Sequence, residues 1–444
     1  MLRRIYNLLF PFVFVLLLPG YLRRMVRRGN YRPALGQRFG FYAPVLRARL
    51  AQGPARPWIQ AVSVGEMLVA LKLIAALRAR CPGTPLILST TTTTGFALAT
   101  ERAGPGVEIV YTPIDDAGCV RRAFDVLRPS RVIIVDGGLW PNFLWEAHAR
   151  GLHVALVNAR LSPRSEGRWH RFSFVARQVM QLLDLVCVPE AADVARWQTL
   201  GVPAGRVRQT GSIKFDDQAP AGLSFDHGSA STKLRHYLDT LGVGPAAPVL
   251  LAGSTHPGEE RAVCAAYVRL RARFPELFLI IAPRHVERAP DIVAELAGFG
   301  LRIVLRSEPV GSASVRPDVL LIDTTGELRD WYAMATLVFI GKSLHAAGGQ
   351  NPMEAVAAGK PVIFGPRMDN FRDLAAELLA VQGAFQVMDV AALESVCAQL
   401  LADPAARARQ AAAAGEILAA HAGAALRTAD LLLERGGFPS CPRG

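Results

Sequence analysis

No acidic residue precedes Glu66, although the first sixty-five positions hold eleven arginines. The amino-terminal apolar stretch, residues 5–18, is fourteen residues long and contains Asn7; it falls short of the roughly 20 residues that span a bilayer comfortably. Cysteine is sparse: six residues (Cys81, Cys119, Cys187, Cys264, Cys397 and Cys441), none in a C-x-x-C pair. That spacing excludes a zinc ribbon and fits small buried thiols in a reducing compartment. No D-x-D motif for a divalent ion is evident. Basic surplus is also missing from the body of the chain. Of the net charge of +13, ten arginines without a single acid lie in the first fifty residues, which leaves +3 for the remaining 394. A nucleic-acid-binding domain spreads its basic stripe over the folded surface, so no nucleic-acid partner is expected.

What is present at the amino terminus is an apolar segment flanked by Arg3 and Arg4 before it and by Arg23, Arg24, Arg27 and Arg28 after it. No small-x-small cleavage site follows, so the segment reads as an uncleaved anchor rather than a secretory leader. Basic flanks stay on the cytoplasmic side and are drawn to anionic lipid. The expected location is the cytoplasmic face of the inner membrane; spanning and lying flat both remain open.

Beyond the anchor, short unbroken apolar runs alternate with amphipathic stretches. WIQAVSV leads into a predicted helix over about 66–80, and PLILST, VEIVYTP, RVIIVDG, HVALVNA and LVCVPE follow. A second series comprises PVLLAGS, FLIIAPR, RIVLRS, VLLIDT, LVFIGKS, PVIFGP and a weaker strand near 384–388. Strands of this kind lie in parallel sheets buried on both faces. The expectation is an α/β protein with two tandem Rossmann-like domains and an interdomain cleft: an anchor over 1–28, a first domain over 29–217, a linker over 218–244 and a second domain over 245–444.

Open α/β sheets bind ligands at the strands' carboxyl ends, and polar signatures collect there. In the second half these are Ser254-Thr255-His256, Arg284-His285, Gly326-Glu327 and the run from Gly348 to Glu354. The paired Gly348 and Gly349 are expected to let backbone approach a ligand, and Pro352 to open a helix whose end attracts phosphate. Glu354 reads either as a ribose acceptor or as a helix-capping acid; Arg284 reads as a phosphate fork or a surface ion-pair partner. His256 and His285 read as positioning residues. Together these residues describe a nucleotide-sugar pocket that needs no metal and no cofactor. In the first half Ser63-Val64-Gly65-Glu66 stands out. A glutamate at a helix start satisfies the dipole, but its neighbours, the threonine run at 90–94 and the polar loop at 158–162, also suit a general base. Lys214 in TGSIKFD steadies an anionic group or is an ordinary solvated lysine. In Trp140-Pro141-Asn142, the tryptophan reads as core and Asn142 as a helix cap.

The ordered motifs WIQAVSVGE, TTTTTG, LWPN, VNARLSPRS, TGSIKFD, GSTHPGEE, APRHVER, DTTGEL and GGQNPMEAVAAGKPVIFGP resemble those of the lipid A-specific 3-deoxy-D-manno-octulosonic acid (Kdo) transferases. The resemblance runs from about residue 28 to 373. It implies a GT-B fold and inverting transfer of Kdo from CMP-Kdo to a lipid A precursor (lipid IVA) in lipopolysaccharide core biosynthesis, on anionic inner-membrane lipid and without a metal. Glu66 is implied as catalytic base. Arg284 is implied at the CMP phosphate beside Gly326 and Glu327, Asn351 and Glu354 at the nucleotide, and Ser254 and Lys214 in the cleft. Departures also occur. Where the family usually has Glu-Thr-Glu, this chain has Asp136-Gly137-Gly138, which leaves Asp136 as the remaining acceptor-side acid; Lys342 and Gln350 replace a glycine and a histidine. Two rival readings follow: a lipid A-binding GT-B protein without catalysis, suggested by Asp136 to Gly138, and a GT-B enzyme for another nucleotide sugar, such as a 2-epimerase.

Overall fold

The computed structural model describes residues 2–27, 34–161, 163–218, 227–308 and 315–438; Arg28, Ser162, Cys441 and residues 219–226 of the expected linker lie outside them. The chain forms two compact units, Met1–Asp216 with Gly423–Gly444, and Asp217–Ala422.

The first unit holds β1 (Arg56–Gln60), β2 (Leu86–Thr90), β3 (Val107–Tyr111), β4 (Pro129–Val135), β5 (Val154–Val157), β6 (Leu185–Val188) and β7 (Val207–Gln209). They form one sheet in the order β3-β2-β1-β4-β5-β6-β7, each pair parallel. Because side chains alternate along a strand, neighbouring residues of β1 feed opposite cores. Trp58 enters one core with Phe124 and Phe143, and Ile59 enters the other with Met67 and Leu73. The second unit repeats the plan with β8 (Val249–Thr255), β9 (Phe278–Pro283), β10 (Ile303–Leu305), β11 (Val319–Leu321), β12 (Leu337–Ile340), β13 (Val362–Phe364) and β14 (Ala384–Gln386). Their order is β10-β11-β9-β8-β12-β13-β14, again all parallel. The winding reverses between β1 and β4 in one sheet and between β8 and β12 in the other. Those are the two switch points at which such sheets bind ligands.

The carboxyl-terminal residues depart from the expected domain division. Residues 390–434 form three helices, Val390–Ala402, Pro404–Ala420 and Ala424–Glu434, and the last belongs to the first unit. Asp403 caps the second through Ala406 N–H, with Pro404 in its first turn. Ala424, Ala425, Ala429 and Leu432 of the third join the core that contains Met67 and Leu73 from the helix Val64–Arg80. Arg80 grips the Asp430 carboxylate with two hydrogen bonds of 2.6 and 3.0 Å. From β4, fully buried Arg131 donates to the carbonyls of Leu432 and Gly436; burial pulls its guanidinium down to about 10.

Cys119, Cys187, Cys264 and Cys397 are free and buried, as expected of small apolar residues. Cys81, which ends the helix Val64–Arg80, is instead disulfide-bonded. Sequence spacing gave no sign of it, because no other cysteine lies near Cys81 in the chain.

At the amino terminus, residues Leu2–Arg27 are helical. Tyr6 donates to Asp115 (2.8 Å) and stacks edge-on against Trp145, while Asn7 accepts from the Asn142 carboxamide (2.6 Å). Leu8, Phe12 and Leu16 are exposed, by 67%, 71% and 80%. Among the described residues no helix is long and apolar enough to cross a membrane.

Truncating Leu432 to alanine removes a fully buried side chain contributed by the returning helix. The Leu432→Ala variant is expected to lose about 2–5 kcal/mol, measured by chemical denaturation followed through tryptophan fluorescence.

Candidate active site

Glu66 lies in the first turn of the helix Val64–Arg80, which follows β1. Ser63 caps the helix Val64–Arg80, its hydroxyl accepting from Glu66 N–H (3.2 Å) and donating back to Glu66 Oε1 (3.1 Å). Val62 N–H donates to Glu66 Oε2 (2.7 Å). This is a capping box, so the structural reading of Glu66 is correct as far as it goes. The carboxylate is nevertheless half-buried, and burial, aided by the negative charge of Asp136, pushes its pKa up despite the N–H and O–H donors. The threonine run supports the same turn: Thr91 donates to the Val62 carbonyl (3.1 Å), and Thr92 caps the helix Thr93–Arg102.

Asp136 follows β4, across the switch point from Glu66, and takes a left-handed backbone (φ 63°). Its carboxylate accepts from the Asn158 carboxamide (2.6 Å). Burial raises its pKa, while Asn158, Arg160 and Lys214 act to lower it. Lys214 is thus within the field of Asp136. Asn158, also left-handed (φ 52°), accepts Ile213 N–H (3.0 Å). Glu66, Asp136 and Lys214 therefore gather around one switch point. Asn142 is not a helix cap. The carboxylate of Asp115 takes that place, accepting from Asn142 N–H (3.1 Å) and Phe143 N–H (2.9 Å), while the Asn142 side chain donates to the Asp115 carbonyl (2.7 Å).

At the second unit's switch point the organising residue is one that sequence reasoning missed. Fully buried Glu259 accepts from the backbone N–H groups of His256 (2.9 Å), Lys342 (2.6 Å), Ser343 (2.8 Å) and Leu344 (2.9 Å). Ser254 and Lys342 flank it, both left-handed at φ 56° and 57°. Between them Gly341 admits no side chain, since a Cβ would lie 2.5 Å from the Ser254 carbonyl oxygen. Arg284 N–H donates to the Thr255 carbonyl (3.0 Å), leaving its guanidinium exposed at the end of β9. His256 and His285 meet edge to face at 5.9 Å. His256 is held below the usual imidazole range, chiefly by burial and then by Lys342, so it is neutral near pH 7.

The remaining candidates are placed differently. Glu327 follows Gly326 and is engaged by Arg306 (3.1 Å) and the Trp331 indole (3.2 Å). Asn351 caps the helix Met353–Ala357 by accepting Met353 N–H (3.1 Å). Glu354 is half-buried in that helix's first turn, close enough to act electrostatically on buried Tyr332. The paired glycines do not present open backbone. Gly348 N–H is taken by Arg367 O and Asp369, Gly349 N–H by Lys342 O, and added Cβ atoms would meet Asn370 at 2.8 Å and Met368 at 2.6 Å. Both glycines are required by close packing against the loop at 367–370.

Two doubly wound parallel sheets, each with polar residues at its switch point, define a GT-B-like α/β protein. UDP-GlcNAc 2-epimerase from Neisseria meningitidis shares this fold, with a TM-score of 0.59 at 13% identity, covering 85% of this chain and 98% of that one. Sequence comparison goes further. Residues 33–217 match the family model described as 3-deoxy-D-manno-octulosonic-acid transferase (kdotransferase). The 3-deoxy-D-manno-octulosonic acid transferase of Bordetella pertussis is 36% identical over 423 residues, 92% of this chain and 94% of the relative. That of Haemophilus influenzae is 30% identical over 410 residues, 92% of each. The chain belongs to the Kdo transferase family and is a glycosyltransferase.

Replacing the Glu259 carboxylate by an amide keeps one acceptor oxygen but turns an N–H₂ group against the two N–H donors that the other oxygen served, and each buried group left unpaired costs about 1–3 kcal/mol. Glu259→Gln is expected to accelerate amide hydrogen exchange at residues 342–344 while leaving the amides of β1 protected.

Proposed function

We propose that this protein transfers Kdo from CMP-Kdo to a glucosamine hydroxyl of a lipid A precursor, lipid IVA, with inversion, at the cytoplasmic face of the inner membrane. The relatives' names support the sugar. The observation that carries the mechanism is Glu66, a half-buried carboxylate of raised pKa at the first unit's switch point. The acceptor hydroxyl gives its proton to Glu66 as its oxygen bonds to the anomeric carbon of Kdo. The bond from that carbon to the CMP phosphate oxygen breaks, and CMP leaves with the electron pair. Direct displacement with one base inverts the centre and needs no covalent intermediate. Arg284, exposed and able to fork two N–H donors onto phosphate, meets the charge growing on CMP. Ser254, Asn351 and Glu354 serve the nucleotide, Glu354 at the ribose. Gly326 lies beside the phosphate with Glu327, which is kept in place by Arg306. Asp136 and Lys214 serve the acceptor.

The membrane partner is anionic lipid. Leu8, Phe12 and Leu16 form an exposed apolar row on a helix whose Tyr6 and Asn7 are fixed to the first unit, and the sequence that follows is rich in arginine. Such a helix lies in the interface and is held there by buried apolar area and by attraction to anionic headgroups.

Two experiments test this reading. Purified protein in detergent, given CMP-Kdo generated in situ and tetra-acylated precursor, is expected to add Kdo mass increments to the acceptor. Glu66→Gln should lower kcat by about 10²–10⁴-fold. Because Glu66 must be ionised to act, activity falls as pH drops through its raised pKa, earlier than for an ordinary glutamate. Asp136→Asn removes the negative neighbour and is expected to move that acid limb to lower pH. In the second experiment, replacing Leu8, Phe12 and Leu16 together by aspartate should abolish co-flotation with vesicles containing anionic phospholipid, and added salt should weaken flotation of the wild type.

A further inference from the structure

A cavity of about 520 Å³ opens in the first unit beside the end of β4. Its walls are aromatic, formed by Trp140, Trp169, Trp197 and Phe172, and its charged lining is Arg160 and Arg168, with no acid among the lining residues. Such a volume lies within the range of small-molecule sites, and beyond Ser165 and the two arginines its side-chain lining is apolar or aromatic, which favours hydrocarbon over a group rich in hydroxyls. An alkyl chain loses nothing there, and the two guanidiniums complement an anionic group attached to it. Trp197 is almost wholly buried, and its indole N–H has no partner among the described residues.

The cavity also adjoins the candidate base. Gly138 lines it, and a Cβ there would lie 3.1 Å from the side chain of Val62, whose backbone N–H holds Glu66. The exposed rim residue Phe172 and the nearby Phe174, both more than half exposed, continue the apolar surface outward.

We propose that this cavity receives one acyl chain of the lipid acceptor, with Arg160 and Arg168 taking a phosphate of the same molecule. The proposal rests on the acceptor being an anionic acylated sugar, as proposed above. A chain seated here fixes the sugar to which it is attached, and with it the distance from the attacking hydroxyl to Glu66. Chain length then becomes a determinant of specificity rather than a means of staying in the membrane.

The test uses the full chain in detergent with acceptors that share one phosphorylated sugar backbone and carry long, shortened or no acyl chains. For the wild type, kcat/KM is expected to fall with each methylene removed, by at most about fourfold because the chain leaves a detergent micelle and not water, as long as the chain reaches the cavity. Val175→Phe, which fills the cavity from the helix Ser173–Met180, should flatten that dependence. A second readout needs no turnover: a long-chain acceptor brominated on the acyl chain should quench tryptophan fluorescence, and Trp169→Phe should lose much of that quenching. Equal chain-length dependence in Val175→Phe and wild type would overturn the proposal. So would quenching that brominated bulk phospholipid produces and the acceptor does not compete away. If no acceptor receives Kdo, the parent reading fails, and quenching by the brominated acceptor still decides whether the cavity takes its chain.

Discussion

The second unit's switch point depends on one buried carboxylate. A parallel sheet ends its strands in loops whose amides have left the ladder, and a loop buried at such a point must find acceptors elsewhere. Glu259 supplies them for four amides at once, three of them 83 to 85 residues away. It thereby ties the loop after β12 to the start of the helix that follows β8. With the loop drawn in that closely, position 341 must be glycine, and Ser254 and Lys342 are held with positive φ. Non-glycine residues in that region cost energy and persist only where their surroundings over-determine them.

The first unit solves the same problem with two side chains. Asn158 joins β4's end to the segment at 212–214 by donating to Asp136 and accepting from Ile213. Asp115 caps the helix Pro141–Ala149 from another part of the chain. In both units, then, the loops at the switch points are fixed by polar groups outside them. The candidate reactive groups can remain partly free. Glu66 illustrates the balance. One oxygen accepts from Val62 and the other from Ser63, and an ionised carboxylate has about four lone-pair sites. The capping box therefore orients the group without exhausting it, so capping and catalysis are not alternatives here.

How much of this could be read in the sequence follows from the range of each interaction. The strands were legible because both-face burial demands unbroken apolar runs. β7 escaped notice: Val207–Gln209 is three residues long with only Val207 buried. Glu66 was legible because the capping box and the strand-to-helix junction are local. The roles of Glu259, Asp115 and Asn158 were not, since they rest mainly on partners distant in sequence, most of them backbone amides, which leave no residue-type signature. One signal was present: Glu259-Glu260 puts two acids in a helix's first turn where one satisfies the dipole. The second is also used, since Glu260 is buried against Thr255 and Arg288. The return of the last helix was hidden for a related reason. Its amphipathic pattern announces an apolar face but not which of two cores receives it.

The amino-terminal helix and the aromatic cavity meet in one residue. Asp115 accepts from Tyr6 of that helix and from two amides of the helix that begins at Pro141, next to the cavity residue Trp140. Burial pushes Asp115 up to about 6 even against those three donors, so desolvation outweighs the hydrogen bonds and a carboxylate here lowers stability when ionised. A neutral residue would fill the space at less cost, but it would not join two helices to one point. A tether needs only an apolar segment and a flexible link. A buried carboxylate gripping the segment fixes its azimuth instead, turning Leu8, Phe12 and Leu16 outward on the same unit that carries Glu66.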